Sequence, residues 1–376
     1  MTKTSSHATQ ADRPLVYLSC GGTGGHMTPA AALAKALLEH DLDIEIITDR
    51  RGLKYKDMFG DLPMMDVPAG AAGAGLMGKV KGAMALASGV WQSLCLMTKN
   101  KPACVVGFGG YPSVPAVLAA QMMGIPTLLH EQNAIIGKAN AFLAARAKKI
   151  AISLPDIKGL SQSEEVKVVY TGNPVRPEIE ALRDQDYAAP KDSAPIRIVV
   201  VGGSLGATVL SEVVPETLKA LPQEYRARLS VLQQCRESDL ANAQAAYEGS
   251  GIQVDLVSFI DDMAGAIGAA HLVIGRSGAS TVSELTVAGR PAIFVPYPFH
   301  KDQQQKMNAQ AIADHGGAWV ISESSFTVET LKGRLELLLQ NPSSLKIAAD
   351  KAKECGKPDA AKTLASLTLD VIKDKS

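Results

Sequence analysis

The chain has 376 residues, more than one compact domain usually holds, so two domains are the first expectation. Lys and Arg total 38, and Asp and Glu also total 38; this balance argues against a protein that binds nucleic acid through a broad cationic surface. The five cysteines are scattered without a CxxC pair, which indicates neither a disulfide framework nor a zinc site and favours a reducing cytoplasm.

The amino-terminal segment up to Arg13 is polar and lacks the apolar core of a signal peptide. No uninterrupted apolar run reaches the roughly 18 residues that a membrane-spanning helix needs. These two observations predict a protein that is soluble or that rests on a membrane surface without crossing it.

Short β-branched apolar segments alternate with longer helical patterns, which predicts βαβ units around a buried parallel sheet. In the first half, the predicted strands are residues 15–20, 44–48, 103–107, 127–130, 149–153 and 166–170. The apolar periodicity stops at 173–195, where proline and charged residues are typical of an interdomain linker. Strands are predicted again at 196–201, 229–234, 254–259, 271–275, 292–296 and 318–322.

The two halves share a motif. LSCGGTGG (18–25) and VVVGGSLG (199–206) are each a strand followed by Gly-Gly-hydroxyl-x-Gly and a helix. This repeat predicts an α/β protein with two Rossmann-like domains that face each other across a cleft at the carboxyl ends of their strands. The predicted boundaries are 14–172 for the first domain, 173–195 for the linker, 196–345 for the second domain and 346–376 for a helical segment. The sequence leaves open which domain the last helix packs against.

The segment GGTGGH (21–26) precedes an Ala/Leu-rich helix. Glycines allow a tight turn and a close approach of ligand, and free N–H groups at the start of a helix favour an anion. A phosphate or pyrophosphate group fits, although a plain strand-to-helix turn is the alternative. The dinucleotide motif GxGxxG is incomplete here and GxxxxGK[ST] does not occur, so NAD and the usual NTPase sites are disfavoured.

His26 closes this loop, and the unperturbed pKa of an imidazole lies near the operating pH, as a general base requires. A purely local hydrogen bond at the start of the helix is an equally good interpretation. In the second half, Gly202-Gly203-Ser204-Leu205-Gly206 repeats the anion-site pattern, with Ser204 able to donate to a phosphate oxygen. The two loops are therefore predicted to hold two pyrophosphates, and a duplicated structural turn is the alternative.

Polar residues follow three further predicted strands. In RSGASTVSE (276–284), Glu284 suits a ribose diol, while a solvent-exposed helix position is the alternative. HEQNAIIG (130–137) and HKDQQQKMNA (300–309) place amides and charges where the hydroxyl groups of a sugar find partners, although each is also typical of an ordinary polar loop.

Two Asp-x-Asp pairs, Asp41/Asp43 and Asp184/Asp186, precede a strand and lie in the linker respectively, rather than at the carboxyl end of a strand. Helix dipoles stabilise a pyrophosphate without a cation. We therefore predict a site that uses no metal and no other cofactor.

Residues 68–101 combine an apolar stripe at helical spacing with basic residues. Packing of a helix on the sheet is the favoured explanation of the stripe. The lysines and the Gly/Ala-rich segment that precedes the helix also suit an anionic membrane surface. The stripe is Leu76, Val80, Met84, Ala87, Trp91 and Leu94, and the lysines are Lys79, Lys81, Lys99 and Lys101.

Eight motifs occur in a fixed order: GGTGGH, GFGGYPSVP, HEQN, TGNPVR, GGSLGA, FIDDM, SGASTVSE and HKDQQQ. Together they closely resemble the MurG family, the undecaprenyl-diphospho-muramoylpentapeptide N-acetylglucosaminyltransferases, over residues 15 to about 320. The resemblance implies a GT-B fold and an inverting enzyme of peptidoglycan synthesis that moves N-acetylglucosamine from UDP to the 4-hydroxyl of a lipid-linked muramoyl-pentapeptide. It also implies a carboxyl-terminal donor domain and an amino-terminal acceptor domain at the cytoplasmic face of the cell membrane.

The resemblance also implies roles for individual residues. Ile260 is expected to meet uracil through its backbone, Glu284 the ribose and Ser204 the phosphates. The positions that contact UDP-N-acetylglucosamine are Thr23, Gly24, Gly25, Asn133, Arg176, Ser204, Ile260, Ala279, Ser280, Thr281, Val282, Ser283, Glu284 and Gln305. The acceptor positions are Gly22 and Tyr111, and the positions implied in the chemistry are His26, His130 and Glu131, with His26 as the expected base.

Two residues depart from the family pattern. Leu205 stands where the family commonly has Gln, and Ser280 where it commonly has Leu, so one side-chain contact to phosphate or sugar is expected to be lost. A UDP-sugar epimerase of the same architecture and an inactive UDP-sugar-binding protein remain as alternatives. The presence of His26, His130 and Glu131 argues against the inactive protein.

Overall fold

The computed structural model describes residues 13–70, 75–191, 194–203, 207–299 and 302–374. It contains two parallel sheets, each covered by helices on both faces. β-branched and leucine side chains fill both strand faces, as expected of strands that are covered on both sides. The Rossmann-like architecture predicted for both halves is confirmed. Within the described residues, every helix is too short or too polar to span a bilayer.

The amino-terminal sheet has the strand order β3-β2-β1-β4-β5-β6-β7. Its strands are β1 (Leu15–Ser19), β2 (Asp43–Thr48), β3 (Met64–Asp66), β4 (Cys104–Gly107), β5 (Thr127–Glu131), β6 (Lys149–Ile152) and β7 (Val168–Tyr170). Its helices are α1 (Gly24–Leu37), α2 (Gly75–Lys99), α3 (Val114–Met122), α4 (Lys138–Ala144) and α5 (Gln162–Glu165). The sequence missed β3, because three half-exposed residues carry no periodic signal.

The segment predicted as a linker carries α6 (Pro177–Glu180) and a short 3₁₀ turn, Ala181–Asp184. Ile179 and Leu182 are buried there, so this connection packs against the second domain rather than hanging between the two. Asp184 and Asp186 lie in this connection, Asp184 as the last residue of the 3₁₀ turn.

The carboxyl-terminal sheet has the strand order β10-β9-β8-β11-β12-β13. Its strands are β8 (Ile196–Val201), β9 (Leu229–Gln234), β10 (Gln253–Val257), β11 (Leu272–Gly275), β12 (Ala292–Phe294) and β13 (Ala318–Val320). The helices that follow are α7 (Thr208–Lys219), α8 (Gln223–Arg226), α9 (Glu237–Tyr247), α10 (Met263–Ala269), α11 (Ala279–Ala288), α12 (Gln304–Ala313), α13 (Val328–Gln340), α14 (Pro342–Cys355) and α15 (Ala360–Lys373).

The last two helices belong to different domains. Leu345 and Ala349 of α14 pack in the core of the second domain, so residue 345, the predicted end of that domain, falls inside a helix. Leu364 and Val371 of α15 instead pack with Leu18 against the first sheet. The chain therefore crosses back to its first domain between α14 and α15, which answers the question that the sequence left open.

Helix α2 turns most of its apolar stripe outward. Met84 and Trp91 are 67% and 70% exposed, and Val80 is 46% exposed, whereas Ser93 and Met97 are buried. Close packing through glycine explains this orientation, since a Cβ built on Gly89 would lie 1.9 Å from the carbonyl oxygen of Pro68. The favoured interpretation of the stripe as a sheet-packing face is therefore wrong for these residues; the side chain of Leu76 lies outside the described residues.

Candidate active site

The first glycine loop joins β1 to α1 at the carboxyl edge of the sheet. Gly22 has φ +86°, which glycine adopts without the steric penalty of a side chain. Thr23 is the N-cap of α1, and its side chain makes no capping hydrogen bond. The N–H groups of Gly24 and Gly25 therefore start a helix of 14 residues that faces the cleft and lacks a side-chain cap, the arrangement that favours an anion.

The loop after β4 lies beside this helix. Gly110 has φ +67°, and a Cβ built on it would lie 3.3 Å from His26 Nε2, so a side chain there would fill the space next to the imidazole. Tyr111 follows, and the Arg51 guanidinium lies over its ring at 4.9 Å. Arg51 is held in turn by the Asp49 carboxylate, with Nε donating at 3.0 Å. Gly22 and Tyr111 are thus brought to the same rim of the first domain.

Glu131 lies at the end of β5 and is 2% exposed. One carboxylate oxygen accepts from the backbone N–H of Asn133 and from its side-chain amide, both at 3.1 Å. The other accepts from the Gly137 N–H at 2.9 Å and from Asn140 at 2.8 Å. The assignment of Glu131 to the chemistry does not fit this geometry, because its carboxylate is occupied in shaping its own loop.

His130 lies behind the cleft and is fully buried. Its Nε2 donates to the carbonyl oxygen of Gly172 at 3.2 Å, and its Nδ1 accepts from Gln132 Nε2 at 2.9 Å. Burial lowers the pKa of His130 to about 4, so the ring is neutral at pH 7. His130 therefore does not fit a role in direct contact with substrate either.

His26 sits in the first turn of α1 and is partly exposed to the cleft. Its Nδ1 lies 3.1 Å from Gln132 Oε1. Burial lowers the pKa of His26, and the nearby Glu131 carboxylate opposes that shift. The imidazole is therefore held neutral, which is the form that accepts a proton.

The second domain contributes α11, which starts after β11 at Gly278 without a side-chain cap. Positions Ala279 to Glu284, namely Ala279, Ser280, Thr281, Val282, Ser283 and Glu284, form its first turns. Glu284 is 8% exposed and Arg176, from the connection between the domains, donates to its Oε1 at 2.8 Å. Burial raises the pKa of Glu284, and the Arg176 charge opposes this, so the pair helps to keep the carboxylate ionised.

Residues of the two domains approach each other across the cleft. A Cβ built on Gly25 would lie 3.9 Å from Ser280 Oγ, so the starts of α1 and α11 face each other. Ser280 Oγ is buried and lacks a hydrogen-bond partner among the described residues. On α12, the buried Asn308 accepts from the Ala134 N–H at 2.8 Å and donates to Asn133 Oδ1 at 3.0 Å.

The remaining predicted positions lie around the same cleft. Ile260 is buried after β10, and Gln305 on α12 accepts from the Tyr297 N–H at 3.0 Å. Ser204, Leu205 and Gly206 of the second glycine loop lie outside the described residues, as do His300 and Lys301. The expectations placed on Ser204 and Leu205 are therefore left open.

Sequence reasoning did not single out Gln132 or Asn308, although both lie in motifs that it quoted. Their position among strand ends was visible in the sequence, but each amide has one partner that lies more than 100 positions away in the chain. Arg51 and its partner Asp49 were also missed, since Asp49 follows a strand that ends with no glycine motif.

Two family models match the chain. The glycosyltransferase family 28 N-terminal domain matches residues 16–152, and the glycosyltransferase family 28 C-terminal domain matches residues 197–364. The first range covers the first sheet up to β6, and the second covers the second sheet and its helices and ends inside α15.

Individual relatives agree with these matches. The UDP-N-acetylglucosamine–N-acetylmuramyl-(pentapeptide) pyrophosphoryl-undecaprenol N-acetylglucosamine transferase of Rhodospirillum centenum is 46% identical over 354 residues, which cover 94% of this chain and 93% of the relative. The crystal structure of MurG from Acinetobacter baumannii is 31% identical, with a TM-score of 0.78 over 95% of this chain and 99% of that one.

More distant structures share the fold alone. The UDP-GlcNAc 2-epimerase of Neisseria meningitidis, bound to UDP-GlcNAc, has a TM-score of 0.63 at 14% identity, over 95% of this chain and all of that one. At that identity the likeness carries no information about activity.

Proposed function

The chain belongs to the MurG family of family 28 glycosyltransferases, and we propose that it transfers N-acetylglucosamine from UDP-N-acetylglucosamine to the 4-hydroxyl of an undecaprenyl-pyrophosphoryl-muramoyl-pentapeptide. The observation that carries this proposal is the 46% identity over 94% of the chain to a transferase of that name. The product is the disaccharide-linked lipid used in peptidoglycan synthesis.

The donor is proposed to bind mainly on the second domain. Glu284 accepts from the ribose hydroxyls, and its pairing with Arg176 supports this role because a buried carboxylate needs a positive partner to stay ionised. The backbone beside Ile260 meets the uracil, and Asn133 and Gln305 bind the sugar. The uncapped start of α11 favours the diphosphate.

The acceptor is proposed to bind on the first domain. The start of α1 lacks a side-chain cap and favours the lipid-linked diphosphate, and Gly22 and Tyr111 line the same rim. This placement brings the muramoyl 4-hydroxyl to His26, which lies beside Gly110 of the loop after β4.

The proposed reaction is a single displacement. His26 takes the proton of the 4-hydroxyl while that oxygen attacks the anomeric carbon. The bond from the anomeric carbon to the diphosphate oxygen breaks, UDP leaves with the electron pair, and the configuration inverts. Helix N-termini stabilise the negative charge that develops on UDP.

We also propose that the enzyme works as a peripheral protein on the cytoplasmic face of the cell membrane, where its acceptor lies. The support is the outward apolar face of α2, defined here as Met77, Val80, Met84 and Trp91, with the exposed lysines Lys79 and Lys81 beside it. Exposed apolar groups flanked by lysines bind anionic lipid surfaces.

The deciding experiment follows labelled N-acetylglucosamine from its UDP donor to a shortened-lipid muramoyl-pentapeptide, with and without EDTA, and identifies the product by mass. A disaccharide-lipid formed in both conditions supports the reaction and the prediction that it uses no metal. Formation of free sugar or an epimer without transfer would instead favour an epimerase.

His26→Ala supplies the matched test of mechanism. We expect the turnover number to fall roughly 10²- to 10⁴-fold, the range for loss of a general base, because the remaining site still binds both substrates. UDP affinity, measured by calorimetry, should stay within about twofold. Unchanged turnover would remove His26 from the mechanism.

A further inference from the structure

A chain of side-chain hydrogen bonds runs from the buried His130 through Gln132 to His26. Gln132 is 2% exposed and follows β5 directly. Its amide lies 2.9 Å from His130 Nδ1 on one side and 3.1 Å from His26 Nδ1 on the other. Gln132 therefore connects the buried core of the first domain to the imidazole at the cleft.

Main-chain carbonyl oxygens fix the direction of every bond in this chain. The carbonyl oxygens of Phe108 and His130 lie 3.0 and 3.1 Å from one end of the Gln132 amide. A carbonyl oxygen only accepts, so that end must be the NH₂ group. The other end, which points to His26, must then be the amide oxygen.

His130 agrees with this assignment independently. Its Nε2 faces the carbonyl oxygen of Gly172 and must carry a proton. The neutral ring then has a lone pair on Nδ1, which accepts from the Gln132 NH₂ group; the two N–H groups of Gln132 are shared among this nitrogen and the two carbonyl oxygens. The main-chain carbonyl oxygens and the His130 ring thus require the same orientation of the Gln132 amide.

The amide oxygen of Gln132 accepts only, so the His26 nitrogen that faces it must carry the imidazole proton. This nitrogen is Nδ1, and Nε2 is left with its lone pair. Nε2 faces the side of the ring where Gly110 leaves space, since a Cβ built there would lie 3.3 Å away.

We propose that Gln132 is a positioning residue that holds the proton of His26 on Nδ1, so that Nε2 is the atom that takes the proton of the acceptor hydroxyl. Gln132 is buried and acts through His26. The catalytic part of this inference rests on the proposed function, whereas the tautomer itself does not.

The tautomer is tested on the unliganded protein by ¹⁵N NMR with ¹⁵N-labelled histidine, at a pH where His26 is neutral. The chain has seven histidines, and the spectrum of His26→Ala identifies the signal of His26 by its loss. We expect a proton on Nδ1 in the wild type and a shift toward Nε2–H in Gln132→Met, which keeps side-chain length but loses the amide. A wild-type signal with the proton on Nε2, or an unchanged tautomer in Gln132→Met, would overturn the proposal.

The kinetic test is a double-mutant cycle. We expect Gln132→Met to lower the turnover number roughly ten- to a hundredfold, a part of the effect of a general base, with little change in the donor KM. In a His26→Ala background, Gln132→Met should have no further effect on turnover, because its partner is gone. A further loss of the same size in that background would show a role that does not pass through His26.

Ser153→Ala is the matched control. Ser153 is buried beside the same strand and donates to the carbonyl oxygen of Glu131 at 2.9 Å rather than to Gln132 or His26. It should leave the His26 tautomer unchanged, and a tautomer shift there would mean that any loosening of this strand end produces the effect. If Gln132→Met does not fold, the wild-type spectrum still decides the tautomer. A wild type with the expected tautomer but without transfer activity would refute the proposed function and leave the tautomer assignment standing.

Discussion

Glu131 and His130 lie next to each other in the chain and are buried for different purposes. The Glu131 carboxylate accepts three hydrogen bonds from the loop that follows it and one from Asn140 of α4, and so sets the path of Asn133 and Gly137. His130 orients Gln132 and, through it, His26. Residues that resemble catalytic groups in sequence thus support the site from behind, and His26 alone among the three faces the cleft.

The burial of His130 predicts a pH dependence of stability. Its pKa is about 4 in the folded protein against an ordinary value of 6.5. Between these values the unfolded chain binds a proton that the folded protein does not, so the free energy of unfolding should fall as the pH drops from 6.5 to about 4. The shift in the pKa of His130 corresponds to a loss of about 3 kcal/mol in the free energy of unfolding.

Urea unfolding at several pH values measures this component, and His130→Gln should remove it because the amide does not titrate. If the free energy of unfolding falls equally between pH 6.5 and 4 in the wild type and the variant, His130 is not the source of the pH dependence.

Gly110→Ala tests the space beside His26. The added methyl group would lie 3.3 Å from His26 Nε2, where the acceptor hydroxyl is proposed to sit, and would displace either the loop or the substrate. Displacement of reacting groups by about 1 Å lowers turnover by about 10²-fold, and we expect a loss of that order in the transfer assay.

The matched control is Gly124→Ala. Gly124 has φ +66°, almost the value of Gly110, but a Cβ built there meets nothing within 4 Å. The Gly124→Ala variant should lose stability because of backbone strain but should keep its turnover number. Equal activity losses in both variants would attribute the effect of Gly110→Ala to strain alone.

At the scale of elements, the apolar periodicity of α2 predicts the helix but not which of its faces turns inward. The spacing of Val80, Met84 and Trp91 indicated a helix with one apolar face, which is confirmed. Which face turns inward was decided by glycines, because Gly82 and Gly89 let the backbone of α2 come close to Gly70 and Pro68 and leave the larger side chains outside.

The outward face of α2 predicts membrane binding. Met84→Ser combined with Trp91→Ser removes two side chains that are 67% and 70% exposed, so folding should be little affected. We expect weaker sedimentation with vesicles that contain phosphatidylglycerol, and unchanged transfer to a shortened-lipid acceptor in solution.

Leu337→Ser is the control for that experiment. Leu337 is 60% exposed on α13 of the second domain, so its replacement removes exposed apolar surface outside the proposed membrane face. Similar loss of vesicle binding in this variant would contradict a specific role of α2.

At the scale of the whole molecule, helix α15 near the end of the sequence packs against the first domain. Leu364 is fully buried and packs with Leu18 and Met27 of the first domain, although it follows the second domain in sequence. Leu364→Ala should therefore destabilise the first domain by about 2–5 kcal/mol, the usual cost of a buried leucine.

Hydrogen exchange in mild urea locates this effect. Peptides from β1 should lose protection in Leu364→Ala, while peptides from β8 keep theirs. Ile347→Ala, at a position that is 61% exposed on α14, should change neither. Loss of protection confined to β8 would contradict the assignment of α15 to the first domain.

The sequence by itself determined the two Rossmann-like domains and most of their strands. Buried parallel strands need continuous apolar runs, and the glycine loops that follow them need residues that allow tight turns, so both leave local signals. The polar segments after β1, β5 and β11 were therefore recognised as parts of one site before their positions were known.

Only the tertiary structure decided which residues of these segments face the cleft. His26, His130 and Gln132 are equally polar in sequence, but their roles depend on partners such as Phe108 and Gly172 that lie far away in the chain. The orientation of α2 and the crossing of α15 depend in the same way on packing between distant segments. Local patterns specify which elements form, whereas burial and hydrogen-bond partners are properties of the assembled fold.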